Sequence, residues 1–230
     1  MSFDLPLPAF APDEAPREVS EAAAYLRLLL ERAVPNVHIV SIARRPGVLA
    51  KVAVRDGRVP GDLLSNLRHE LGGERIDIVP WHAQPQRFIA AALGLQEVPP
   101  TLLKPAIRHA DVLVGEIDMR GLSGWRGINR LLASAVTGWR IHLRAIADTP
   151  AWSTLTRAMA ERRALSAVVV GHAPRGLRVE LSGLYALLPL AAERQVGEEL
   201  HVRVLKMDAD EGKIVVTRRL GRTGQLALPD

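Results

Sequence analysis

Apolar side chains at Ala22, Tyr25, Leu26, Leu29, Leu30 and Ala33 recur at helical spacing along one face, which predicts a helix over 17–33. Pro16 is tolerated in its first turn and Pro35 stops the pattern. VHIVSIARRPGVLAKVAVRD then reads as two strands joined at Arg45, Pro46 and Gly47, because Pro-Gly interrupts two runs rich in valine and isoleucine. A helix over 62–71 and a strand, RIDIVPW, over 75–81 complete a first unit. The order then repeats. FIAAALG (88–94) is a short helix, and LLKPAIRHADVLVGEID (102–118) reads as two strands with a turn near His109. Residues 127–137 form a helix and WRIHLRAI (139–146) a strand. Both units place a glycine loop, a helix, a glycine and a strand in succession, at 57–81 and at 121–143.

After a polar, helical connector over 148–164, the pattern becomes all β. LSAVVVGHAP, GLRVEL, LYALLPL, ELHVRVLKMD and KIVVTRR are short strands between glycine-bearing turns, the pattern of a small barrel. Residues 1–15, rich in proline and alanine, read as a loose N-terminal segment, and 221–230 as a C-terminal tail.

Composition narrows the functional classes. No apolar run approaches the roughly 18 residues that a membrane-spanning helix needs, and the acidic, proline-rich start lacks the basic and apolar regions of a signal peptide. The expectation is a cytoplasmic protein with no membrane partner. With no cysteine, a disulfide framework, thiolate metal sites and a cysteine nucleophile are excluded. The net charge of +5 is unevenly spread: residues 101–163 carry 10 basic and 5 acidic side chains, while 1–100 carry 11 and 12. Arginine dominates that basic segment, and its planar fork suits bidentate contacts to phosphate. On charge alone, a solvated basic face is an equal alternative.

Within that segment, GWRGINRLLASAVTGWRIHL (124–143) sets two glycines ahead of a helix. Glycine lets the backbone approach a ligand closely, and the first amides of a helix are unpaired at the positive end of its dipole. An anion such as a phosphodiester fits there, with Arg126 supplying formal charge. An ordinary loop before a helix would look the same.

The arrangement of GxxG, helix and strand resembles the KH domain, whose loop clamps the backbone of single-stranded nucleic acid. Gly124, Arg126, Gly127, Asn129, Thr137, Gly138 and Trp139 match, without a gap, the second KH unit of the NusA family of bacterial transcription factors. VPNVHIVSIARRPGVLAKVAV followed by GGERIDIVPW is similar to the first KH unit of that family. The likeness covers about residues 20–146. It implies an α+β fold of two tandem type II (prokaryotic) KH domains packed together, over 16–86 and 87–147. The strands at 165–220 resemble the OB-fold named after the first small-subunit ribosomal protein, with the glycine-led strand at Gly176–Leu181, LLP at 187–189 and the closing hairpin VLKMDADEGKIVVTRR.

The RNA-binding residues that these resemblances imply are Gly124, Trp125, Arg126, Gly127, Asn129 and Arg130 in the second unit, Arg58 and Gly61 in the first, and Arg178 and Tyr185 in the barrel. Several positions depart from the family patterns. In GRVPG (57–61), Arg58 takes the place of the first motif glycine and the connection before it is short, so that loop is expected to be impaired. Trp125 occupies a position usually basic, where it either stacks on a base or covers the loop. Leu177 stands where the barrel family has a stacking phenylalanine, leaving Tyr185 and His172.

The expected function is that of a non-enzymatic, single-stranded RNA-binding protein, NusA-like, acting in transcription elongation, termination or antitermination. A ribosome-associated RNA-binding factor or RNA chaperone is the alternative, with RNA polymerase or the ribosome as the partner machine. A protein-interaction scaffold built on degenerate RNA-binding folds is the alternative of another class. In NusA a polymerase-binding domain and the OB domain precede the two KH units. Here the order is KH, KH, OB, with about 15 residues ahead of the first helix, so the resemblance implies the RNA-binding platform without the polymerase-binding part.

Enzyme readings find little support. Asp111, Glu116 and Asp118 would need one face of a strand to bind a metal, and alternation separates Asp111 from the other two. Asp208, Asp210 and Glu211 resemble a calcium loop, but Gly212 falls where a ligand is needed, so a hairpin turn is expected. The seven histidines show no HExxH spacing, and His82 beside Trp81 reads as a surface or core-edge residue. Ser123 and Ser182 lack a nucleophile-elbow context, and no Walker loop is present. No cofactor, metal or small-molecule substrate is expected.

Overall fold

A computed structural model describes residues 21–189 and 194–218. The predicted segments at 1–15 and 221–230, the first four residues of the helix expected over 17–33, and the last two of the barrel segment lie outside the described residues. Those described form two compact units, the first from 21–112 and 120–143, the second from 113–119 and 144 onward. The fold is mixed α+β with a closed five-stranded barrel. Among the described residues, no helix is long and apolar enough to cross a membrane.

The first unit begins with α1 (Glu21–Ala33), β1 (His38–Arg45), β2 (Leu49–Asp56), α2 (Gly61–Glu70) and β3 (Arg75–Pro80). β1 and β2 are antiparallel and β2 and β3 parallel, in the sheet order β1-β2-β3. Next come α3 (Pro85–Leu93), β4 (Thr101–Lys104), β5 (His109–Val114), α4 (Glu116–Ser123), α5 (Ile128–Thr137) and β6 (Arg140–Ala145). These strands form a second sheet in the order β4-β5-β6.

The burial of β2 explains how the two halves of this unit hold together. A strand with one wet face alternates, but all six residues from Leu49 to Val54 are buried. Ala50, Val52 and Val54 pack with Ala23, Leu26 and Leu30 of α1 and Leu67 of α2. The opposite face of β1 and β2, which includes Ser41, Ala43 and Ala53, is covered by α5. Small side chains there admit the helix closely, and the Ser41 hydroxyl donates to the Val136 carbonyl at 2.6 Å. Lys51, on the same face, is also buried; its ammonium donates to Asp77 on β3 at 3.1 Å. Burial pushes its pKa down, and the Asp77 carboxylate opposes that shift.

In the second unit, α6 (Pro150–Ala160) is capped by the Thr149 hydroxyl, which accepts from the Trp152 amide at 3.1 Å. Its Trp152, Leu155 and Ala158 are buried, and the helix packs against the barrel strand at 199–208. The barrel strands are β7 (Leu165–Ala173), β8 (Gly176–Leu181), β9 (Leu184–Pro189), β10 (Glu199–Asp208) and β11 (Lys213–Arg218). They close in the order β10-β11-β9-β8-β7, with β10 returning to β7 and β11 running parallel to β9. This arrangement is compatible with an OB-fold.

Within 102–118 the expected pair of strands is present as β4 and β5, which run antiparallel, and the differences lie in the turn and after Gly115. Pro105 fixes a 3₁₀ turn over 105–107, Arg108 adopts a left-handed conformation (φ +46°), and His109 opens β5 instead of sitting in the turn. The segment after Gly115 is helical. GEID reads as an extension of the apolar run, yet Glu116 and Asp118 favour the first turn of α4, where acidic groups meet the positive end of the dipole. Glu116 and Asp118 are thus helical, and strand alternation does not separate them from Asp111. The hairpin turn expected at Asp208–Gly212 is present, with the Glu211 amide donating to the Asp208 carboxylate at 3.1 Å.

Candidate nucleic-acid interface

The loop at 124–127 is built by its neighbours as much as by its own residues. α4 ends at Ser123, and the Gly124 amide donates back to the Arg120 and Gly121 carbonyls, both at 3.1 Å. The chain then turns sharply through left-handed conformations at Gly124 (φ +70°), Arg126 (φ +51°) and Gly127 (φ +74°). A Cβ on Gly124 would stand 2.8 Å from the Asn129 Cβ, so this position requires glycine for space as well as for conformation. The Asn129 side-chain amide donates to the Leu122 carbonyl at 2.7 Å and the Leu93 carbonyl at 3.3 Å. Asn129 thus ties the end of α4 and the end of α3 to the start of α5.

What this frame presents to solvent is cationic and aromatic. Trp125 is 67% exposed, and the Arg126 guanidinium lies 4.7 Å from the centre of its ring. The ring therefore stands in solvent and does not close over the loop. Behind it, α5 starts at Ile128 with Gly127 as its N-cap and no side chain capping its amides. Arg130, one turn in, donates to the Ile141 carbonyl at 3.0 Å, which ties α5 to β6 and directs part of its guanidinium away from the loop. At the other end of α5, Gly138 takes the left-handed cap position and the Thr137 hydroxyl donates to the Ala133 carbonyl, so Thr-Gly-Trp serves as a helix stop.

Gly124→Ala should therefore distort the loop without removing the core. We expect a loss of about 1–3 kcal/mol from strain at the left-handed position. Thermal unfolding checks this; a variant as stable as the parent would show that the contact with Asn129 relaxes freely.

The corresponding loop of the first half has a different geometry. Gly57 is left-handed (φ +91°) and pressed against Asn36, where a Cβ would meet the carbonyl oxygen at 2.8 Å. Arg58 is exposed, Pro60 caps α2 in an extended conformation, and Gly61 has open space around it and no left-handed φ. β2 runs into this loop without a counterpart of α4. Beside it, the Arg55 guanidinium stacks on Trp81 at 4.3 Å, a cationic-aromatic pair that the sequence reading missed because the two residues lie on different strands of chain.

Arg178 and Tyr185 belong to the barrel, where they are brought together across β8 and β9, the guanidinium 4.0 Å from the ring centre. Leu177 is 2% exposed and sits in the barrel core, so its position would not present a stacking side chain to solvent; strand alternation gives that role to its neighbour Arg178. His172 is exposed on β7. Among the sequence-predicted residues, then, the structure gathers Gly124, Trp125, Arg126, Gly127, Asn129 and Arg130 at one helix start, Arg58 and Gly61 at another, and Arg178 with Tyr185 on the barrel.

Comparison with known proteins agrees with the transcription-factor likeness. Over 127 residues the chain is 34% identical to the transcription termination/antitermination protein NusA of Mycobacterium tuberculosis, a match covering 50% of this chain and 37% of that protein. It is 31% identical over 139 residues to NusA of Bacillus subtilis, covering 54% and 38% respectively. NusA of Halalkalibacterium halodurans is 28% identical over 136 residues. The match spans well under half the length of these relatives. No protein-family model matches the chain. The chain is similar to NusA over about half of its own length.

Proposed function

We propose that this protein binds single-stranded RNA without catalysing a reaction, and that it acts in bacterial transcription elongation, termination or antitermination. In this reading residues 16–86 and 87–147 are tandem KH domains, 165–220 is an OB-fold domain, and RNA is held by the loop at 124–127. The observation that carries it is that loop: a left-handed Gly-Trp-Arg-Gly turn that exposes an arginine and a tryptophan directly before a helix whose first amides have no side-chain cap. Phosphate oxygens would accept from the Arg126 guanidinium at the positive end of the α5 dipole, while Trp125 offers a face for a base. The excess of basic residues between 101 and 163 supplies the surrounding potential. The similarity to NusA supports this choice of process, and RNA polymerase is the partner machine we assign to it.

Filter binding of single-stranded and duplex RNA of equal length, at two salt concentrations, tests the proposal. We expect preference for the single strand and an affinity that falls as salt rises, because phosphate neutralisation releases counterions. Equal binding of duplex and single strand would refute the loop as a single-strand clamp. No binding to either would favour the scaffold reading, in which degenerate folds serve as protein-binding surfaces.

A further inference from the structure

The second sheet carries a side-chain cluster outside the loop at 124–127. His109 and Asp111 alternate on β5 with Ala110 and Val112, which are fully buried, so the two polar side chains share the other face. His142 lies on the neighbouring strand β6 beside the fully buried Ile141, and is itself exposed. The three side chains meet there. His109 Nε2 is 3.0 Å from an Asp111 carboxylate oxygen, the two imidazole rings are 4.6 Å apart between centroids, and one donor atom from each residue lies within 4.8 Å of the others.

We propose that His109, Asp111 and His142 form a binding site for a first-row divalent transition cation, of which Zn²⁺ is the natural probe. Two imidazoles and a carboxylate are a donor set that suits zinc and its neighbours, and three protein donors leave a coordination position for water. Bonds of about 2.0–2.2 Å to such an ion bring its donors to roughly 3.3 Å from one another. Rotation of the exposed His142 ring toward the His109–Asp111 pair accomplishes that without moving either strand. Asp111 is buried and already aligned on His109, so most of the site is pre-set. Lys104, 4.0 Å from the Asp111 carboxylate, and Arg130 and Arg140 near His142 repel a cation, so the site is expected to bind in the micromolar range and not as a permanent structural centre.

The test is titration of the full chain, freed of metal by chelator and gel filtration, with Zn²⁺ in a calorimeter, together with NMR of the histidine ring protons. Saturable binding of one ion should shift the His109 and His142 ring signals and leave those of the exposed His69 and His201 in place. His142→Ala, at an exposed position, should fold normally and weaken binding at least tenfold, as should Asp111→Asn, whereas His69→Ala should have no effect. Absence of saturable binding at submillimolar Zn²⁺ would overturn the proposal, as would undiminished binding by His142→Ala or ring shifts confined to other histidines.

Discussion

Replacing Glu74 by alanine should destabilise the first unit by about 3–5 kcal/mol, a large part of the stability of a typical domain. Glu74 is fully buried and follows directly on Gly72 and Gly73. Its carboxylate accepts from Arg44 Nε at 2.7 Å and Nη2 at 3.1 Å, and from the Gly47 amide at 2.8 Å. The same guanidinium donates through Nη1 to the Ala22 carbonyl at 2.6 Å in α1. One carboxylate thus ties together the β1–β2 turn, the start of β3 and, through Arg44, the first helix. Truncation leaves the buried Arg44 guanidinium without its carboxylate and the Gly47 amide without its acceptor, which costs far more than the net worth of the ion pair. Urea unfolding measures the loss. The double variant Arg44→Met with Glu74→Leu should recover much of it, because an apolar pair removes the orphaned charge. A loss below about 1 kcal/mol for Glu74→Ala would mean that the pair is as weakly coupled as a surface salt bridge.

This network also gives the ARRPG and GGERIDIVPW motifs a physical meaning. The arginine of the first and the glutamate of the second are hydrogen-bond partners, and the aspartate of IDIVPW faces Lys51 across β2 and β3. Periodicity placed the strands around them because alternating and continuous apolar runs are local signals. It could not pair Arg44 with Glu74, since a buried charge is compatible with any number of partners until the sheet brings one to it.

The same distinction between local and non-local information separates what was legible from what was not. Helices α1, α2, α3, α5 and α6 and the five barrel strands follow from spacing and from glycine or proline punctuation. α4 was missed because Gly115 breaks an apolar run without showing whether strand or helix follows, and its eight residues bury none of their side chains by the measure that makes a helix visible in a pattern. In LAKVAV, a lysine amid apolar residues suggests a wet face. Burial of the second face comes from α5, which arrives from the other half of the unit. Of the site, the loop at 124–127 was legible because its glycines, arginine and helix are consecutive. The His109, Asp111 and His142 cluster was not, because β5 and β6 bring it together from separate strands.

The second large effect concerns the loop itself. Trp125→Asp combined with Arg126→Asp should lower RNA affinity on the order of a hundredfold or more, with little change in stability. Charged hydrogen bonds contribute about 1.5–3 kcal/mol and stacking of a base on an aromatic ring about 1–3 kcal/mol; each 1.4 kcal/mol, roughly, is tenfold in affinity. Two carboxylates would add repulsion against phosphate. Both residues are exposed, and Asn129, which anchors the loop through the Leu122 and Leu93 carbonyls, is untouched, so the fold should persist. The matching double change at Arg58 and Val59 should cost much less, because that loop lacks the paired left-handed glycines and has Pro60, which carries no amide hydrogen, at its helix cap. RNA titration of both double variants, with thermal unfolding as the control for folding, decides between them. If the change at 58 and 59 is the more damaging, RNA enters by the first loop. If neither loses affinity, the exposed arginine and tryptophan of the second loop are not where the strand is held, and the assignment of the interface to 124–127 fails.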